Sequence, residues 1–146
     1  MKKIGVIGTR KRNTVSDFLV VKEVFFEIYE IYDGNCWIVS GHCPKGGDKF
    51  AEKIAFDYGI PILLFPPKKR IREEFFARNT LVAKEADIII ACLINPHESL
   101  EDIYKRTSGG SENTIKKFLD KIGYRKFHSD NNIPIPDEMK QAVIIV

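Results

Sequence analysis

The stretch KIGVIGTRKRNTVSDFLVVKEVFFEIYEIYDGNCWIVS, residues 3–40, decides the fold. Residues 4–7 are a short apolar run closed by Gly8, which reads as a buried strand. Thr14 and Ser16 stand where a helix cap belongs. Apolar residues then fall at Phe18, Val21, Phe25, Ile28 and Tyr32, in the steps of three and four that define the helical period. Asp33-Gly34-Asn35 stops this helix, and residues 36–40 make a second strand. An apolar strand, a helix and another apolar strand together predict a parallel sheet covered on both faces.

The alternation continues outward from this unit. Asp48 opens a second helix with Ala51, Ile54, Ala55 and Tyr58 on one face, Gly59 ends it, and residues 61–65 give a third strand. A helix over about residues 71–86 precedes a fourth strand at 87–94, apolar almost throughout. After a polar loop at 95–107, Ser111 caps a last helix carrying Ile115, Phe118, Leu119 and Ile122. The expected fold is α/β: a Rossmann-like three-layer sandwich over residues 1–122, its sheet mostly parallel with helices on both faces. Residues 123–146 form an extension. In it Asp130-Asn131-Asn132 is a turn, Ile133-Pro134-Ile135-Pro136 is extended, and residues 142–146 are a candidate edge strand. Trp37 and the phenylalanines read as core.

Composition narrows the class. With 146 residues, 44% of them hydrophobic, the chain can bury a core without disulfides or a structural metal. No apolar run approaches the roughly 18 residues of a membrane span. Met1-Lys2-Lys3 leads into a strand rather than a signal-peptide core, so the expected location is the cytoplasm. Cys36, Cys43 and Cys92 show no C-x-x-C spacing. Cys36, His42 and Cys43 are the one conceivable zinc set, but adjacent His42-Cys43 is poor ligand spacing. Neither metal nor cofactor is expected, and the cysteines read as free thiols.

The net charge of +3 is mild, but its placement is not random. Ligands of parallel α/β sheets bind at the carboxyl ends of the strands. The loops expected there carry Arg10, Lys11 and Arg12, then Lys45, then Lys68, Lys69, Arg70 and Arg72, which is eight cations and no acid. The turns at the opposite end carry no Lys or Arg. Such segregation focuses a positive potential on one rim, as an anionic ligand requires. Three glycine segments share that rim: Gly8-Thr9-Arg10, then Ser40-Gly41-His42-Cys43-Pro44-Lys45-Gly46-Gly47-Asp48, then Ser108-Gly109-Gly110-Ser111. Glycine lets a backbone approach a ligand closely, and helix N-terminal N–H groups attract oxyanions. Neither a Walker loop nor G-x-G-x-x-G is present. The helix from residue 71 adds an anomaly: its inward stripe is Phe75, Arg78, Asn79 and Val82. A buried arginine needs a partner. Arg78 either bridges to Asp48 or Glu112, or meets a ligand carboxylate or phosphate.

Together these segments resemble the SLOG superfamily, which holds LOG-type nucleotide phosphoribohydrolases, DNA-processing proteins of the DprA kind and small proteins of unassigned role. The likeness runs from Lys3 to about Ile122. It rests on Gly8-Thr9-Arg10, on Ser40-Gly41 with Gly46-Gly47-Asp48, on Arg78-Asn79, on the strand at residues 87–91, and on Gly109-Gly110-Ser111-Glu112-Asn113-Thr114. The resemblance implies that Gly8, Thr9, Ser40, Gly41, Gly109, Gly110 and Ser111 line a pocket for a nucleotide or an ADP-ribose-like molecule. The wider candidate set adds Arg10, His42, Lys45, Gly46, Gly47, Asp48, Arg78, Asn79, Glu112, Asn113 and Thr114. LOG-type enzymes use P-G-G-x-G-T-x-x-E. Here Ser108 replaces the proline, Glu112-Asn113 replaces Gly-Thr, and the glutamate position falls on Lys116. A lysine does not stabilise an oxocarbenium-like sugar.

The leading expectation is therefore a binding protein, a sensor, carrier or sponge for a nucleotide-derived anion. The alternative is a nucleotide N-glycosidic hydrolase with Glu112 or Asp48 as its catalytic carboxylate and Arg78 fixing the phosphate. Single-stranded nucleic acid is the third reading, and the lack of aromatic residues in the basic loops counts against it. His97 and His128 have no nameable partner. The loop at 95–107 reads as a lid or a partner contact, with Glu98, Glu101 and Asp102 placed to meet the basic rim of a neighbouring subunit. Self-association into a dimer or higher oligomer is expected.

Overall fold

A computed structural model describes residues 1–69, 71–106, 108–127 and 133–146. Arg70, Thr107, His128 and the expected turn at Asp130-Asn131-Asn132 lie outside the described residues. The elements run β1 (Lys2–Gly8), α1 (Val15–Ile31), β2 (Cys36–Ser40), α2 (Gly47–Tyr58), β3 (Ile62–Leu64), α3 (Arg72–Glu85) and β4 (Ile88–Cys92). Then follow α4 (Leu100–Lys105), α5 (Gly110–Lys121), a 3-10 turn (Tyr124–Phe127), α6 (Asp137–Ala142) and β5 (Val143–Ile145).

The strands make one five-stranded sheet, ordered β3-β2-β1-β4-β5, and every pairing is parallel. Ile4 lies opposite Ile38 on one side and Ile88 on the other. The chain winds outward from β1 to β3, then crosses back so that β4 pairs with the free side of β1. Strand alternation sends Ile4, Val6, Ile38 and Ile90 to one face, under Val21, Phe25 and Ile28 of α1 and Phe50, Ala51 and Ile54 of α2. Ile7, Val39, Ile89 and Ala91 go to the other, under Val82 and Ala83 of α3 and Ile115, Phe118 and Leu119 of α5. This is the Rossmann-like three-layer sandwich. Tyr58 is half exposed, not part of the buried face of α2; Phe50 takes that place.

Thr14 alone caps α1. Its Oγ1 accepts from the Asp17 amide at 3.1 Å while Asp17 Oδ2 accepts from the Thr14 amide at 3.2 Å, a reciprocal capping box. Thr14→Ala is expected to lower stability by about 1 kcal/mol in urea unfolding, with ligand affinity unchanged.

Three expectations are corrected here. Ser111 does not cap α5: the N-cap is Gly109, with no side-chain cap, and Ser111 lies inside the first turn. The stretch at 95–107 is not a structureless loop but contains α4, capped by Ser99, with Ile103 buried in the second core cluster. Two of its three acids are engaged within the chain, Glu98 with Arg106 and Glu101 with Lys105. The aromatic set is not uniformly core either, since Phe56 is 88% exposed and Trp37 is half-buried. The tail's last residues do complete the sheet as β5. Arg12 fastens it, donating from Nε to Asp17 Oδ1 at 2.9 Å and from Nη1 to the carbonyls of Leu93 and Val146. Arg12 therefore holds the fold together rather than serving the basic rim.

Candidate functional site

A cleft of about 570 Å³ opens at the carboxyl edge of the sheet, on the α3/α5 side. It sits where the connections leaving β1 and β4 diverge, the switch point at which open α/β sheets bind ligands. The loop after β1 contributes Gly8, Thr9, Arg10 and Lys11; the segment after β2 contributes Gly41, Cys43 and Asp48. Helix α3 supplies Arg72, Phe75, Phe76, Arg78 and Asn79, and the start of α5 supplies Gly109, Gly110, Ser111, Glu112 and Thr114. The three glycine corners thus converge on one hollow.

Arg78-Asn79 is the staple that brings them together. Arg78 Nη1 donates to the Gly41 carbonyl at 3.1 Å and lies 3.8 Å from Asp48 Oδ2, both side chains nearly buried. Asn79 Nδ2 donates to the Gly110 carbonyl and to Asn113 Oδ1, each at 3.3 Å. Two adjacent residues of one helix therefore tie the second glycine segment to the third. Of the partners weighed for Arg78, the structure selects Asp48 and not Glu112. Burial pushes the Asp48 carboxyl above the usual range, although Arg78 and the Gly41 and Cys43 amides favour its charged form.

Several expected site residues stand elsewhere. Ser40 is buried beneath the cleft, its Oγ 3.4 Å from the Asp48 carbonyl. His42 points outward to Glu52, with Nδ1–Oε1 at 2.7 Å. Lys45 and Asn113 do not line the cleft; Asn113 supports Asn79 instead. Gly46 and Gly47 are packing glycines rather than ligand-facing ones. A Cβ on Gly47 would lie 2.1 Å from the Ile7 carbonyl carbon. Gly46 adopts φ +76°, and a Cβ there would lie 2.5 Å from the Thr9 carbonyl oxygen. They seat the start of α2 directly on the end of β1. A Cβ on Gly110, by contrast, would meet nothing within 4 Å, leaving its backbone open to the cleft.

Two features of the site were not read as such from the sequence. Phe75 and Phe76 both line the cleft, with the Arg78 guanidinium 5.4 Å from the Phe75 ring centre and Arg72 5.2 Å from that of Phe76. The cationic rim therefore does carry aromatic residues, from a helix rather than a loop. Their signal was the i,i+4 spacing of Arg72 and Phe76 and the i,i+3 spacing of Phe75 and Arg78. The second feature is capping. Helices α1 and α4 have side-chain caps and α2, α3, α5 and α6 have none; of these uncapped helices, α3 and α5 present several first-turn residues to the cleft. Among the described residues no side chain caps the first-turn amides of α5.

Among the described residues no group of three or more His, Cys, Asp or Glu is gathered to hold a metal. Cys36 opens β2 while Cys43 lies beyond its far end, which separates the conceivable zinc set. Among the described residues no helix is long and apolar enough to cross a membrane.

Fold and cleft define a parallel, Rossmann-like α/β domain with a cation-lined hollow at the switch point. No protein-family model, curated protein or solved structure matches the chain.

Proposed function

We propose that the protein binds a phosphorylated, nucleotide-derived small molecule in this cleft, a nucleotide or an ADP-ribose-like compound, as a sensor, carrier or sponge. One observation carries the reading. Arg10 and Lys11, whose side chains make no ion pair among the described residues, share one hollow with the start of α5, which no side chain caps, and with the open backbone of Gly110. Unpaired cations and open amides are what a phosphate completes. Phe75 and Phe76 supply apolar faces for a base, and the volume lies within the roughly 300–1,000 Å³ of small-molecule sites. The likeness to the SLOG superfamily agrees with this ligand class.

Binding is favoured over N-glycosidic hydrolysis by the state of the carboxylates. Asp48 is held by two amides and Arg78, so its lone pairs are committed. Lys116, at the position of the LOG-type glutamate, reaches over the Tyr104 ring and does not line the cleft. That leaves Glu112, one turn before the position of the LOG-type glutamate, as the one other carboxylate among the described residues that line the cleft.

Calorimetric titration with AMP, ADP-ribose and pyrophosphate, followed by chromatography of the ligand, tests the reading. The expected result is saturable binding, intact ligand and an affinity that falls with salt. Arg10→Ala combined with Lys11→Ala should weaken binding roughly ten-fold or more. Release of free base would shift the assignment to a hydrolase. Retention of a labelled single-stranded oligonucleotide, with no small-molecule binding, would shift it to nucleic acid.

A further inference from the structure

We infer that Glu112 selects a ribose-containing ligand, by accepting hydrogen bonds from the two adjacent hydroxyls of the sugar; the inference rests on the nucleotide reading above.

The cleft contains two carboxylates in very different states. Asp48 is engaged by Arg78 and by backbone amides. Glu112 is half-buried and, among the described residues, makes no side-chain hydrogen bond or ion pair, although Arg10, Lys11 and Arg72 line the same hollow. Nor does it close a capping box with Gly109. It is folded back over that glycine, where a Cβ would lie 2.1 Å from its Oε2.

An unpaired carboxylate in a site built for an anion repels the ligand unless the ligand brings donors to it. A phosphodiester or an ionised phosphate has none. The ribose of a nucleotide has two neighbouring hydroxyl donors, one ester link from the phosphate. Position supports the match. The amides of Gly110 and Ser111 belong to the same first turn of α5 as Glu112, so a phosphate on those amides brings its sugar to this side chain. The base then extends toward Phe75 and Phe76. Two carboxylate oxygens accept from two adjacent hydroxyls, a charge-assisted pair unavailable to a deoxy sugar.

The test compares AMP, 2′-deoxy-AMP and pyrophosphate by calorimetry in the presence of EDTA, on the full chain and on Glu112→Ala and Glu112→Gln. The wild-type protein should bind AMP at least ten-fold tighter than 2′-deoxy-AMP. Glu112→Ala should reduce that ratio to within two-fold while raising the affinity for pyrophosphate several-fold, because a repelling charge is gone. Glu112→Gln, whose amide oxygen still accepts, should keep part of the preference. The opposite signs for AMP and pyrophosphate separate sugar recognition from general damage to the site. Equal binding of AMP and 2′-deoxy-AMP by the wild type overturns the inference, as does a preference that survives in Glu112→Ala. A preference seen only when magnesium replaces EDTA also overturns it, since the carboxylate would then be holding a cation. If the wild type binds none of AMP, ADP-ribose and pyrophosphate, the nucleotide reading itself falls, a result distinct from these.

Discussion

Gly47→Ala is expected to destabilise the protein by about 3 kcal/mol or more, the upper end of overpacking. The reason is that the added methyl would meet backbone, not a side chain that can rotate away. Its nearest atoms would be the Ile7 carbonyl carbon at 2.1 Å, the Ile7 oxygen at 2.3 Å and the Gly8 amide at 2.4 Å. Relief requires α2 to lift off the end of β1, the central strand, which opens the first core cluster at Phe50, Ala51 and Ile54. Against a typical total stability of about 5–15 kcal/mol, that loss is large. Thermal unfolding should shift down by roughly 10 °C. A variant melting within a degree or two of the wild type would show that α2 is not seated as described. Ligand affinity should fall as well, because Gly8 and Asp48 move with the two elements.

Arg78→Ala has the second largest expected effect, and it acts on both stability and binding. Removing the guanidinium leaves Asp48 buried with only its amide partners, a change expected to lower stability by about 3 kcal/mol near neutral pH. Anion affinity should fall by roughly 1.5–3 kcal/mol, the range for a charge-assisted hydrogen bond. The pH dependence identifies the cause. Asp48 titrates above its ordinary value in the folded protein because burial disfavours its charge. Without the attraction of Arg78 it must titrate higher still. A carboxyl raised in this way binds more protons folded than unfolded, so stability increases as pH falls from the raised value toward the unfolded value of about 4. The deficit of Arg78→Ala should therefore narrow on mild acidification. Adding Asp48→Asn should restore much of the stability and none of the affinity. A deficit independent of pH in urea titrations would remove the Asp48–Arg78 pair as its source.

The two variants also separate glycine and arginine roles that look alike along the chain. Gly41, Gly47 and Gly110 sit in similar glycine-bearing segments, yet a Cβ on Gly41 would strike Arg78 Cδ at 2.3 Å, one on Gly47 would strike the Ile7 backbone, and one on Gly110 would touch nothing. Arg12 and Arg10 are two positions apart on the same loop. One is consumed by Asp17 and two carbonyls, while the other lines the cleft without an ion pair among the described residues. Residue type and loop membership do not distinguish these cases. What distinguishes them is which distant segment lies across from each one, and the crossings of the parallel sheet set that.

The amino-acid sequence by itself determined the order of β1 to β4 with α1, α2, α3 and α5, while the short helices α4 and α6 became visible only in the structure. Burial on both faces of a sheet or one face of a helix imposes a period that can be read within a few neighbouring residues, as at Ile4–Val6–Ile7 or Val21–Phe25–Ile28. It also marked the edge of the sheet where cations and glycines gather, because loop position follows from strand order. Only the tertiary structure decided which of those residues share the hollow. It turned His42 outward and spent Arg12 on β5. It placed Phe75 and Phe76 on the cleft wall, and it left Glu112 without a side-chain partner among the described residues in the hollow that Arg10 and Lys11 also line. These are contacts between segments tens of residues apart, and they depend on register and helix rotation, which carry no local periodic signature.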